Sequence, residues 1–311
     1  MIIFLTRIIT QGSDEKEAYY IRIEGNEMDI REIQLYKLEI LKDFAALCDQ
    51  NSLRYCLYGG TLLGAVRHGG YIPWDDDVDV LMPWEDYNKF LRIYSKKLPD
   101  KYFVQNYKTD PCFPLMFTQL RVNNTTSMPV KNAPLDIHWG ICIDIFPLVG
   151  IAESGIRRKL QNKMLPLIYS FLSVDIIKAV NVPCAGMQKV INKIPRKLRH
   201  AFVNAEYAVL FSNSEKQKKC YDLFDTKIKD YGDYSDWTDT EDMLFEGIPF
   251  KVPKKYDKLL TLLYGDYMTP PPVEERGGHE IQLGDQILDF NKDYSIYRQE
   301  LLDRENGQKR S

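Results

Sequence analysis

No stretch of this 311-residue chain restricts its fold as tightly as residues 58–80, which read YGGTLLGAVRHGGYIPWDDDVDV. Arg54 to Tyr58 is rich in β-formers and runs into Gly59-Gly60. Thr61 to Arg67 then has the makeup of a short helix, closed by His68-Gly69-Gly70. Carboxylates follow in alternation with valines, predicting a second strand over about Asp76–Met82 that Pro83 ends. In a strand, Asp75, Asp77 and Asp79 share one face, while Asp76, Val78 and Val80 share the other.

Two chemical consequences follow. Glycines let a backbone come close to a bulky anion, and a helix starting at Thr61 aims its free N–H groups and positive dipole end at that anion. Arg67 and His68 would add cationic contacts to phosphate oxygens. A lone Gly-Gly pair is ordinarily just a turn, but the acidic cluster beside it changes the weighing. Like charges on one face of an interior strand repel and lose hydration unless a cation sits between them. Hard oxygen ligands suit Mg²⁺ or Mn²⁺. A solvated acidic loop is the bland alternative, and it leaves the alternating valines unexplained.

A further carboxylate is expected from a neighbouring strand, and residues 140–146 (GICIDIF) supply one. Ile141, Ile143 and Ile145 would pack inward, with Asp144 emerging on the other face beside Cys142 and Phe146. A lone Asp in an apolar strand needs a partner: a metal, a reacting hydroxyl or a buried salt bridge. Other candidates carry less information. Arg121, on a strand, either reaches a phosphate or sits at the surface. Arg276 and His279 follow a proline stop and could close over a bound donor, whereas His138 reads as structural. Tyr71, Trp74, Trp84 and Trp139 flank the acidic segments, as core or as faces for a quaternary ammonium.

Elsewhere, Asp29 and Glu32 have capping-box spacing at the head of a helix whose apolar face carries Leu38, Leu41, Ala45 and Cys48. An amphipathic helix is expected over 85–97, and β-like segments near 102–107 and 115–123. From about 152 to 231 the pattern turns helical, basic and apolar, with Pro166, Pro183 and Pro195 kinking or dividing it. The apolar run 164–180 reads either as core helix or as a membrane-surface or lid helix. The expected organisation is an N-terminal strand or tail (1–27), a catalytic core (28–150), a helical insertion (151–240), a C-terminal part of the core (241–300) and a polar tail (301–311).

Lys plus Arg numbers 41 against 44 Asp plus Glu, a net charge of −3 that argues against a nucleic-acid binder. The 6 cysteines form no CxxC pair, so neither a disulfide framework nor a zinc site is indicated, and a reducing cytoplasm fits. The N-terminal apolar run is short and interrupted by Arg7, unlike a signal peptide, and no run approaches the ~20 apolar residues of a spanning helix.

At Gly59–His68, Ile72–Asp79, Asp144–Pro147 and Tyr264–Met268 with Pro271 and Pro272, the chain resembles the LicD family of phosphotransferases, which includes phosphocholine transferases acting on bacterial surface glycans. Fukutin and the fukutin-related protein, which transfer ribitol phosphate, have a related core. The resemblance covers about residues 28–150 and 245–280. It implies an α/β (α+β) nucleotidyltransferase-type mixed sheet flanked by helices, with Mg²⁺ or Mn²⁺ and a CDP-linked donor such as CDP-choline. Asp77 and Asp79 would be the main metal ligands, Asp75 an assistant, and Asp144 a ligand or the base for the acceptor hydroxyl. Gly59, Gly60 and Thr61 would form the phosphate cradle, with Arg67, His68, Arg121 and His279 nearby. The acceptor would be a cell-surface glycan, teichoic acid or lipid-linked oligosaccharide, with peripheral contact at the inner membrane face. The rival functions are a nucleotidyltransferase that releases pyrophosphate, a non-catalytic glycan- or choline-binding module, and a scaffold.

Overall fold

The computed structural model describes residues 20–23, 26–97, 99–179, 186–224, 231–272, 276 and 286–308. Strands β1 (Tyr20–Ile23) and β2 (Asn26–Asp29) pair antiparallel and deliver the chain into α1 (Ile30–Gln50). Asp29 caps that helix by accepting the Arg31 N–H at 2.9 Å, an N-cap bond to the second helical amide rather than to that of Glu32. Then come β3 (Cys56–Leu57), α2 (Gly59–His68), β4 (Asp79–Pro83) and α3 (Trp84–Lys97). Next are β5 (Tyr102–Gln105), β6 (Thr118–Val122), β7 (Thr126–Pro129) and β8 (Cys142–Ile151).

A helical excursion follows: α4 (Gly155–Leu172), α5 (Val174–Ala179), α6 (Met187–Ile191) and α7 (Arg196–Leu210). It returns through β9 (Lys219–Tyr221), which pairs with the far half of β8. The chain closes with α8 (Tyr234–Thr238), the hairpin β10 (Thr240–Phe245) and β11 (Ile248–Pro253), α9 (Tyr256–Tyr264), β12 (Gln286–Asp289) and α10 (Tyr294–Gln308).

The principal sheet runs β3-β4-β8-β6-β5 and is mixed: β4 and β8 are parallel, the other neighbours antiparallel. The fold is thus the mixed α/β sheet flanked by helices that the sequence predicts. A second sheet, β2-β1-β12-β7, joins the two ends of the described chain. It packs Met128 and Ile287 against Phe113, Leu135 and Trp139. The main core fills around Leu41, Phe44, Leu57, Phe90, Ile141 and the inward Ile143 and Ile145 of β8.

Several local expectations shift. The aspartate-bearing strand starts at Asp79, so residues 71–78 are a loop and its carboxylates are gathered by loop geometry rather than by strand alternation. The helix expected from Thr61 begins two residues earlier, which puts both glycines in its first turn. The segment 115–123 supplies β6 over Thr118–Val122, and the chain then passes to β7 in the second sheet. Pro166 lies inside an unbroken α4: its missing N–H costs a single ladder bond in a helix whose Leu165, Ile168, Phe171 and Leu172 are buried. Pro195 heads α7, a position it suits, and Pro183 lies outside the described residues. Residues 301–308, expected as a tail, continue α10.

Gly140 shows how little slack the sheet edge has. A Cβ there would lie 2.1 Å from the Val122 carbonyl oxygen and 2.7 Å from Cε1 of His138. Gly140→Ala should therefore cost about 1–3 kcal/mol, read as a lower urea midpoint at unchanged slope.

Candidate active site

The site is built where the N-termini of β4 and β8 lie side by side. Their parallel register sets Asp79 opposite Asp144, on strands about 4.8 Å apart. Backbone bonds lock that register: Asp144 N–H donates to Val78 O at 2.9 Å, and Tyr58 N–H to Asp79 O at 3.0 Å. On β6, Gln119 pairs with Asp144 and its Nε2 donates to Asp144 Oδ1 at 2.8 Å. Among the described residues, Asp75, Asp76 and Asp77 each bring a carboxylate oxygen within 4.8 Å of the others.

Electrostatics records the crowding. Burial, then Asp77, Asp144 and Asp75, push the Asp79 carboxyl well above its usual range. Burial, with Asp77 adding to it, pushes Asp144 up to about 6 against the pull of the Gln119 hydrogen bond, Lys37 and Arg121. The structure thus brings Asp75, Asp77, Asp79 and Asp144 together. It adds Asp76, which strand alternation puts on the opposite face and the loop does not.

The glycine cradle is steric as well as conformational. Gly59 has φ +55°, and a Cβ on it would sit 2.7 Å from Asp79 Oδ2. A Cβ on Gly60 would sit 2.4 Å from Asp75 Oδ2. Both carboxylates therefore lie against the first turn of α2. The helical ladder begins with Leu62 N–H to Tyr58 O, 3.0 Å, which leaves the amides of Gly59, Gly60 and Thr61 outside it. Thr61 is buried, and its hydroxyl accepts the Asp79 N–H at 2.9 Å, so its side chain fixes Asp79.

The other sequence candidates are placed differently. Arg67 and His68 end α2, and Arg67 is about 12 Å along the axis from Gly59 at roughly 1.5 Å per residue. They sit at the opposite end of the helix from the amides. Arg67 Nη1 donates to Tyr267 O at 2.8 Å, and the Arg276 guanidinium covers the Trp74 ring at 4.6 Å.

Arg121 is neither at the surface nor turned to a phosphate. At 5 % exposure it donates to Gln105, to Gly140 O and to the Oε1 of Gln119. It thereby orients the amide that holds Asp144. His138 is structural, as read: its ring stacks on Phe103 and Nδ1 accepts the Gly140 N–H. His279 lies outside the described residues. Tyr71, Trp84 and Trp139 pack against Phe245, Tyr87 and Arg121 respectively.

Sequence reading missed the polar row of α1. Arg31, Gln34 and Lys37 recur at three-residue steps on an otherwise apolar face. Gln34 Nε2 donates to Asp75 O at 2.8 Å, and the buried Lys37 Nζ to Asp76 O at 2.6 Å. Arg31 pairs with Glu246 at the β10–β11 turn, and Glu246 also accepts the Tyr71 N–H at 2.9 Å. The aspartate loop is held from both sides. A lysine and a glutamine inside an apolar helical stripe were the available signal.

An all-oxygen donor set, crowded carboxylates with elevated pKa and a cradle that a single Cβ would fill together fit a hard divalent cation, with Asp75, Asp76, Asp77, Asp79 and Asp144 as the groups able to hold it. The fold and site define a mixed α/β protein with a clustered-carboxylate centre beside a helix N-terminus.

Residues 52–149 match the family model described as LicD/FKTN/FKRP, nucleotidyltransferase domain. The chain is 29% identical over 280 residues to the lipopolysaccharide cholinephosphotransferase LicD of Haemophilus influenzae, covering 82% of this chain and 97% of that relative. It is 62% identical over 34 residues to the ribitol 5-phosphate transferase FKRP of Homo sapiens, 11% of this chain and 7% of that protein.

Two outcomes test this geometry. Gly60→Ala should displace the Asp75 carboxylate and abolish activity while shifting the melting temperature little. Compared with Asp144→Asn, the metal-free protein should lose stability as pH rises from about 4 to about 6, the opposite contribution of His138 being common to both. Asp144 there keeps its proton longer folded than unfolded, so the folded state is favoured at the acid end of that window; urea titrations at several pH values read this.

Proposed function

We propose that the chain is a metal-dependent phosphotransferase that moves a substituted phosphate, phosphocholine from CDP-choline above all, onto a hydroxyl of a cell-surface glycan, teichoic acid or lipid-linked oligosaccharide. The observation that carries the reading is the register of Asp79 against Asp144 beside the Gly59–Gly60 turn. The similarity along nearly the whole of a cholinephosphotransferase supports the choice of substituent.

The chemistry is an in-line displacement at the donor's β-phosphorus. A bond forms from the acceptor oxygen to phosphorus, the bond to the bridging oxygen breaks, and CMP leaves with that electron pair. Asp144 takes the acceptor's proton; a carboxylate raised to about 6 suits a base working near neutrality. Gln119, itself held by Arg121, keeps the Asp144 carboxylate aimed. The amides of Gly59, Gly60 and Thr61 receive phosphate oxygens at the helix N-terminus. Asp75, Asp76, Asp77 and Asp79 would hold Mg²⁺ or Mn²⁺, which when bound supplies charge neutralisation to the diphosphate. Positioning and neutralisation account for most of such catalysis.

Incubation with Mg²⁺ and a panel of CDP-alcohols should release CMP and be fastest with CDP-choline. Release of pyrophosphate, with the nucleotide joined to the acceptor, would overturn the reading in favour of a nucleotidyltransferase. Asp77→Ala or Asp79→Ala should abolish transfer with little change in thermal unfolding, because each removes a charge from a self-repelling cluster. Loss of fold in both would speak against the assigned role.

A further inference from the structure

The helical excursion differs from the rest of the chain in charge. Residues 155–205 contain ten Lys and Arg against the single Asp175, in a protein whose net charge is −3. Asp175 is already taken by Arg196 and Arg199, each at 2.9 Å. Over α6 and the first half of α7 the side chains divide by direction. Ile191, Arg199 and Val203 are buried, and Ile194 packs on the core.

Met187, Val190 and Leu198 point outward at 70%, 64% and 62% exposure. Lys189, Lys193 and Lys197 are exposed between them, without an ion-pair partner among the described residues. Three large apolar side chains held in water within twelve residues, interleaved with three such lysines, need an occupant that is apolar and anionic together.

We propose that the α6–α7 face, residues 187–198, docks the protein on an anionic phospholipid surface. The lysines meet the headgroup phosphates, and Met187, Val190 and Leu198 enter the boundary between headgroups and acyl chains. Apolar side chains give no advantage on a sugar-phosphate polymer, and lysine is depleted in the buried centres of protein interfaces, so a bilayer fits both halves of the pattern. No helix among the described residues is long and apolar enough to cross a membrane, so contact here lies in the surface plane. An enzyme held this way meets a lipid-linked acceptor by diffusion in two dimensions. The inference is independent of the transfer reaction.

Co-sedimentation of the full chain with vesicles tests it. Binding should appear with phosphatidylglycerol mixed into phosphatidylcholine, be absent on phosphatidylcholine alone, and weaken with salt. K189Q/K193Q/K197Q should lower the affinity ~100-fold, from about fivefold per lysine. M187S/V190S/L198S, with all charges kept, should lower it about tenfold. The single variants K193Q and V190S should move it the same way in smaller steps.

Failure to bind anionic vesicles overturns the proposal. So does full binding by the serine variant, which would leave a surface for soluble polyanions. CMP release with a water-soluble acceptor, measured alongside, should be unchanged in both triple variants and reports separately on the transfer reaction.

Discussion

Two carboxylates on neighbouring parallel strands, Asp79 and Asp144, repel one another, and much of the surrounding structure works to keep them side by side. The sheet register alone would not suffice, because a loop of further aspartates leans on the same point. Much of the restraint comes from uncharged or cationic groups bonded to the peptide groups of the aspartates. Gln34 and Lys37 hold the carbonyls of Asp75 and Asp76. Thr61 takes the amide of Asp79. These bonds position the backbone that carries the acidic side chains.

The same logic explains why Arg121 is buried. Placed in contact with Asp144 it would neutralise it; placed behind Gln119 it fixes a neutral amide that donates a single hydrogen bond. Asp144 keeps an elevated affinity for protons, which a base needs, while its direction is set by a chain of donors reaching back to Gly140 O and Gln105. Glu246 plays a comparable part at the far end of the loop. It gathers Arg31 and the Tyr71 amide from the tip of a hairpin distant in sequence.

Much of this was legible in the chain itself. The alternating isoleucines around Asp144 mark the strand that carries it, and Gly59-Gly60 marks a backbone that must lie against something bulky. The bulky thing includes the protein's own Asp79 and Asp75, which no local pattern could reveal. Strand alternation misplaced Asp76 because period-two reasoning applies only where the backbone is extended, and residues 71–78 turn. Arg67 and His68 were grouped with the cradle by nearness in sequence, whereas a helix carries them to its other end. The hold exerted by α1 and Glu246 depends on contacts across 39 to 215 positions, beyond any spacing rule, although a lysine in an apolar stripe hinted at it.

Strand β8 contributes Asp144 near its start and pairs with β9 at its end, where Ile151 lies opposite Lys219. The chain therefore leaves the catalytic sheet and rejoins it at almost the same point. Everything between is a closed detour whose two feet stand together on one strand. Tyr207 and Phe211 anchor that detour on Trp84, so its outer helices α6 and the start of α7 are the part best able to vary in length or charge. The surface that the enclosed helices present is thereby set apart, along the chain, from the aspartates, although both hang from one strand.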